Sequence, residues 1–274
     1  MSDLREPTAR VSALYIHPVK SLRGLRVEQA ELTRQGLQND RRWMIVDEDG
    51  KFLTQRELPE LCRIALALEP SHIELTSERH GSLRLPSQHE SGEQELTVRV
   101  WSFQGSANRH EEGSAWLSQV LGRTCSLVYM AERHERAVNP QRALPSDRVS
   151  FADGYPILLI SQGSLDDLNS RLKSPLGMTR FRPNVVIEGC DAFAEDNFQR
   201  VQIGSIGLRG VKRCERCVVT TRDELTGESG TEPLRTLATY RRSEGKVWFG
   251  MNMIHDSLGA LKVGDPVHVL PSFP

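Results

Sequence analysis

The sequence predicts a mainly β protein with some helix, an α+β fold arranged as two β-barrel-like lobes. Three observations carry this. Short apolar, β-branched segments recur between Gly, Asp and Pro turns along most of the chain. Helical periodicity is confined to a few stretches. A polar, Pro-containing stretch from Glu132 to Asp147 separates two β-rich parts, 10–130 and 131–274.

The elements follow in order. Residues 10–34 read as strand segments, beginning with Val11 to Ile16 and interrupted by Pro18. Residues 42–55 read as a hairpin, Trp43 to Val46 returning through Phe52 to Thr54, because Asp49-Gly50 supplies the positive φ such turns need. Strands are expected over 63–69, 72–76, 82–85 and 95–101. A helix over 113–121 has Ser114 as its cap and Gly122 at its end. After the junction, Pro156 to Ile160 reads as a buried strand. A helix over 163–172 places Leu165, Leu168 and Leu172 on one face. Strands are expected at 185–187, 200–203, 207–209 and 217–221. A short helix with Pro233 in its first turn covers 232–240, and a Gly-Asp-Pro turn feeds a last strand ending at Leu270.

A chain of 274 residues with 38% hydrophobic content can bury one large core or two ordinary ones. Lys and Arg number 35 against 36 Asp and Glu, for a net charge of -1. Near-neutrality excludes a generic nucleic-acid binder but permits a local basic pocket. No apolar run approaches the roughly 18–20 residues of a membrane span. The start, Met1 to Pro7, lacks a secretory or transit pattern, so a cytoplasmic protein is expected. Five loosely spaced cysteines, Cys62, Cys125, Cys190, Cys214 and Cys217, do not form a secreted disulfide framework, and reduced thiols are expected.

The segment Lys212-Arg-Cys-Glu-Arg-Cys217 concentrates the chemistry. Cationic neighbours favour the thiolate, which is the metal-binding and nucleophilic form of cysteine. A structural zinc site would need four ligands, and no second C-x-x-C or His pair is present. A thioredoxin-like pair would open a helix, whereas β-branched Val218-Val-Thr-Thr221 follows here. A pair of structural cysteines stays open on spacing alone.

The wider context resembles the MOSC domain, named for the C-terminal part of molybdenum-cofactor sulfurases. Cys214 to Gly227, Glu232 to Leu237 and Tyr240-Arg241 carry that resemblance, with Phe181 to Ile187, Gly189-Cys190, Phe249 to Asn252 and Lys262 to Pro266. Pro18-Val-Lys-Ser21 and Asp40-Arg-Arg-Trp43 are similar to the β-barrel module that precedes this domain. The likeness runs from about Val11 to Leu270, and within the group it is to the amidoxime-reducing components and their bacterial relatives.

The resemblance implies a molybdopterin-bound molybdenum ligated by Cys217, which would be both the metal ligand and the catalytic residue. It implies a MOSC-type barrel for the second lobe and a cofactor cradle of Lys20, Ser21, Arg41, Asp153, Arg182, Asn184 and Arg216. The chemistry is consistent. Thiolate is a soft ligand suited to such a metal. Lys offers a point charge to phosphate, and Arg a bidentate grip. The Asn184 amide can match the donor and acceptor edges of a pterin. Asp153 could also orient a substrate or water.

Of the other cysteines, Cys190, Cys62 and Cys125 are expected to pack, and Cys214 is undecided between structure and support of the Cys217 loop. His255 reads as an ordinary hydrogen-bonding residue, and Trp101, Trp116 and Trp248 as core. The implied activity is reduction of N-hydroxylated small molecules. Electrons would come from a separate ferredoxin or flavin-reductase type protein, since no further Cys cluster follows the last strand. The alternative is a sulfur carrier or cofactor-handling protein with a persulfide on Cys217.

Overall fold

The computed structural model describes residues 9–91 and 94–271; the expectation drawn from Met1 to Pro7 lies outside them. Seven strands close a barrel: Ile157–Ser161, Val185–Glu188, Ala9–Ile16, Pro266–Val269, Arg200–Ile203, Ile206–Glu215 and Lys246–His255, which returns to Ile157–Ser161. Only Ile157–Ser161 and Val185–Glu188 run parallel. A parallel pair needs a crossover, and the helix Gln162–Arg171 provides it, capped by the Ser161 hydroxyl accepting from Ser164 N. Leu165 and Leu168 of that helix are buried as their spacing predicts. Leu14, Leu159, Val185, Ile203 and Met253 belong to the core cluster that the barrel strands build.

The N-terminal strand Ala9–Ile16 therefore pairs with strands from the far half of the chain. Leu25–Val27 also pairs with that strand, and Gln29–Thr33 and Gly36–Leu37 form a small sheet with Gly259–Lys262, Ala30, Leu32 and Leu37 packing into the barrel's core cluster. From Trp43 to Tyr129 the N-terminal half forms a second lobe. A four-stranded sheet runs Trp43–Val46, Ser126–Tyr129, Phe103–His110, Glu95–Val100, and a three-stranded meander joins Ala65–Leu68, His72–Ser77 and Gly81–Pro86. Trp43, Ile45, Leu61, Ile73, Leu85, Leu117 and Leu127 fill the core of this lobe. Among the described residues, no helix is long and apolar enough to cross a membrane.

Three local expectations are corrected. The first helix spans Glu111–Leu121 and is capped by His110, whose Nδ1 accepts from Gly113 N at 3.0 Å. Ser114 is no cap: it is buried, with its hydroxyl spent between His110 O and Leu127 N. Gly122 does end that helix in the left-handed region. Residues 218–221 form a single 3-10 turn instead of a strand. The hydroxyls of Thr220 and Thr221 donate back to Cys217 O and Val218 O at 2.9 and 2.8 Å, and these local bonds override β propensity. Trp101 is not core but 54% exposed, whereas Trp248 is buried as expected and Trp116 is half-buried.

Candidate functional site

The site begins as an irregularity in a strand. Ile206–Glu215 pairs with Lys246–His255, but its register slips between Gly210 and Lys212 and again between Arg213 and Glu215. Bulges re-aim side chains that strict alternation would send to opposite faces. Lys212, Arg213, Cys214, Glu215, Arg216 and Cys217 consequently all line one cavity of about 260 Å3. Cys217 is the last extended residue before the 3-10 turn. Its carbonyl accepts from both Thr220 N and Thr220 Oγ1, which fixes the backbone. Its Sγ accepts a hydrogen bond from Arg56 Nη2 at 3.3 Å.

Arg216 is held from behind, with Nε on Phe249 O at 2.9 Å and Nη1 on Phe181 O at 3.0 Å. Its third nitrogen, Nη2, is buried without a hydrogen-bond partner. A buried charged donor left unpaired is costly. Cys214 shares this wall, and burial pushes its thiol up from the ordinary cysteine value. Burial does the same for Cys62, Cys125 and Cys190, consistent with packing roles.

The opposite wall comes from turns around the first barrel strand. Ser21, Arg41 and Arg182 have φ of 70°, 51° and 55°, each a left-handed conformation that costs a non-glycine residue about 1–2 kcal/mol. Such strain persists only where surrounding contacts enforce it, and it gathers at functional sites. Arg41 is enforced by buried Asp40, whose Oδ2 accepts from Arg41 Nη1 at 2.7 Å and whose Oδ1 accepts from His17 N at 2.8 Å. His17 is itself buried, its Nε2 3.1 Å from Pro183 O. Burial, then Arg41 and Arg182, hold the His17 imidazole well below its ordinary pKa, so it is neutral here. Arg182 donates to Leu22 O at 2.5 Å; burial and Arg41 lower its pKa to about 10.

Lys20 is buried, with Nζ on Phe151 O at 2.7 Å and Asp153 Oδ1 at 2.6 Å. Burial lowers its pKa to about 8, although Asp153 opposes the shift. Asp153 itself opens to the cavity. Desolvation alone would raise its carboxyl, but Lys20, Arg56 and Arg41 hold it well below the usual carboxylate range. The loop carrying Asp153 is pinned by Arg136 from the 132–147 stretch, which donates to Ser150 O at 2.9 Å and Asp153 O at 3.2 Å.

The structure thus brings together all eight residues expected from the sequence: Lys20, Ser21, Arg41, Asp153, Arg182, Asn184, Arg216 and Cys217. Two differ in the way they are used. Lys20 is paired with Asp153 rather than standing as a lone charge. Asn184 is spent on the protein: its Oδ1 accepts from Leu158 N and Arg41 Nη1, and its Nδ2 donates to Tyr15 O. It braces Arg41 and the barrel rather than offering a free amide edge. His255 is not part of this cavity.

Sequence reading missed Arg56, the side chain bonded to the key sulfur, and also His17, Asp40 as an anchor, and the cavity-lining cation Arg180, whereas Lys212 and Arg213, read as the cations flanking the cysteines, do line the cavity. The only signal for Arg56 was its place just after the hairpin arm Phe52 to Thr54, and a lone arginine there carries no motif.

A molybdenum–pterin group can be tested against these residues. Among the described residues no three His, Cys, Asp or Glu side chains converge to hold a metal ion. A metal on Cys217 would therefore have to bring its remaining ligands on an organic chelate. The cavity is lined by eight Lys and Arg side chains against only Asp153 and Glu215, which favours a phosphorylated, polar ligand. Arg216 Nη2 is a buried donor still requiring an acceptor. The residues fit the group.

Comparison with known proteins agrees with this class. Residues 8–124 match the MOSC N-terminal beta barrel domain and residues 146–268 the MOSC domain. This is a MOSC-domain protein preceded by its characteristic barrel module. Mitochondrial amidoxime-reducing component 1 of Homo sapiens is 35% identical over 285 residues, covering 97% of this chain and 85% of that protein. The Mus musculus protein of the same name is 36% identical, covering 95% and 82%. Mitochondrial amidoxime reducing component 2 of Bos taurus is 33% identical, covering 94% and 82%. The chain belongs to the amidoxime-reducing component family.

Proposed function

We propose that this protein reduces N-hydroxylated compounds, such as amidoximes and hydroxylamines, with a molybdenum–molybdopterin cofactor whose metal is ligated by Cys217. The observation that carries the reading is the convergence on one thiol of a cationic cavity with an unpaired buried donor, Arg216 Nη2. The relatives' names supply the reaction class.

When bound, the cofactor would supply the redox chemistry of the reduction. The chain's own residues bind and orient. Cys217, on a backbone fixed by Thr220, sets the sulfur's direction, and Arg56 stabilises negative charge on it. Arg41, Arg182 and Arg216, which line the cavity, would neutralise phosphate and pterin acceptors. Asp153, kept ionised by Lys20 and Arg56, accepts a hydrogen bond from the N–OH or amine end of a substrate. Overall, cleavage of the N–O bond takes up two electrons and two protons and releases the amidine and water. A separate ferredoxin or flavin-reductase type protein supplies the electrons.

Metal and pterin analysis of the purified native protein, combined with benzamidoxime reduction driven by a reduced flavin-reductase or ferredoxin donor, tests this reading. The expectation is about one molybdenum with pterin per chain and turnover that Cys217→Ser abolishes together with the molybdenum. Full activity or full molybdenum in Cys217→Ser would overturn the ligand assignment. Pterin-free protein that takes a persulfide onto Cys217 from a cysteine desulfurase would assign a sulfur carrier instead.

A further inference from the structure

A second cavity, of about 580 Å3, lies beside the first, and Thr54 and Arg56 line both. Its apolar surface comes from Phe52 and Trp101. Phe52 is buried and meets the indole edge-on at 5.0 Å. Trp101 is 54% exposed, a large apolar ring presented to water. It also sits at φ 55°, a conformation that bulky residues rarely adopt. With Ser21, Arg41 and Arg182 it makes four of the seven such non-glycine residues among those described, all four bordering these two cavities.

Trp101 is also tied to the reacting centre. Its Nε1 donates to Asp153 Oδ1 at 3.3 Å, and the Arg56 guanidinium lies 5.0 Å over its ring. Arg56 in turn reaches Cys217 Sγ. The charged groups around the second cavity are largely satisfied among themselves: Lys51 pairs with Glu57 at 3.5 Å, Arg99 donates to Asp49 O at 2.7 Å, and Asp47 caps its own turn. The unsatisfied surface is aromatic.

We infer that the cavity before Trp101 is a substrate subsite that holds the planar aromatic body of an N-hydroxylated base, with Trp101 as its stacking platform and Arg56 as the wall shared with Cys217. This rests on the proposed reductase reading for the identity of the reacting group. Flat rings stack or pack edge-on against indole, and an aryl group seated there reaches past Arg56 toward Cys217 with its N–OH end near Asp153. Trp101 is thus a specificity-determining residue, acting on the part of the substrate that does not react.

The test compares benzamidoxime with acetamidoxime in wild type, Trp101→Ala and Trp101→Phe, with molybdenum and pterin measured in each preparation. Trp101→Phe keeps a stacking ring but loses the bond to Asp153, so it separates the two roles. The aromatic-over-aliphatic ratio of kcat/KM is expected to fall about tenfold in Trp101→Ala, mostly through KM. That is about 1.4 kcal/mol, within the range of an aromatic pair. Trp101→Phe should keep most of the ratio. An unchanged ratio in Trp101→Ala, in protein holding the cofactor, overturns the subsite and leaves the reductase reading intact.

If the preparations hold no molybdenum or pterin, the reductase reading fails, and the subsite is still decided by binding. Benzamidine, the aromatic reduction product, should quench wild-type tryptophan fluorescence and bind Trp101→Ala about tenfold more weakly by calorimetry. Equal affinity for both proteins overturns the subsite.

Discussion

Lys20→Met isolates a burial cost that can be worked out from the site. Lys20 is 5% exposed and its pKa is lowered to about 8, first by desolvation, against an ordinary 10.5. The folded state therefore binds the proton less tightly than the unfolded chain. Between about pH 8 and 10.5 the unfolded chain keeps a proton that the folded protein releases, so stability rises with pH through that window. Below it, holding the ammonium in the fold carries the full penalty. The displacement from 10.5 to about 8 corresponds to about 3 kcal/mol at most.

Methionine has a similar stem and never titrates, so the difference between wild type and Lys20→Met removes every other group's titration. Urea unfolding of cofactor-free protein from pH 7 to 10.5 should show this difference moving in favour of wild type by roughly 2–3 kcal/mol. A bound phosphate anion, which favours the charged amine, should shift the rise toward higher pH. A difference that stays flat across the window would refute the claim that Lys20 is held against its solvation.

Two further outcomes are expected. Arg216→Met removes the donor that lacks a protein partner together with the bonds to Phe249 O and Phe181 O, so the melting temperature should fall and pterin occupancy should drop severalfold at temperatures where circular dichroism shows the variant folded; full occupancy in folded variant would mean that Arg216 Nη2 faces no ligand. Gly250→Ala should destabilise the barrel by roughly 3 kcal/mol or more, because φ there is 84° and a Cβ would stand 2.7 Å from Ile160 Cγ1. Chemical denaturation within about 0.5 kcal/mol of wild type would refute that packing argument.

The candidate site was legible where its residues sat in the runs that carry the family resemblance, since a lone Lys or Arg in them would read as a solvated surface charge. Lys20 and Ser21, Arg41, Arg182 and Asn184, and Arg216 and Cys217 each sit in a short run with its own pattern, and the fold joins those runs around one cavity. What escaped was set by contacts distant in sequence. Arg56 matters because the chain brings it to a sulfur 161 residues away, and Trp101 because its turn exposes a ring that composition alone assigns to a core. The 218–221 turn escaped for the opposite reason: two threonine hydroxyls acting locally outweighed a β-branched run.

Topology explains why one sulfur can gather so many partners. The strand Ala9–Ile16 is hydrogen-bonded between Val185–Glu188 and Pro266–Val269, both from the other half of the chain. The turns that follow it, carrying Lys20, Ser21 and Arg41, are therefore held against Arg182 and Asn184 by barrel register rather than by a flexible interface between lobes. Arg41 Nη1 bonded to Asn184 Oδ1, and Arg41 Nη2 to Arg182 O, are the side-chain expression of that register. A substitution that slips this first strand would disperse the cationic wall without touching any residue in it, because the next residue on a strand faces the opposite side.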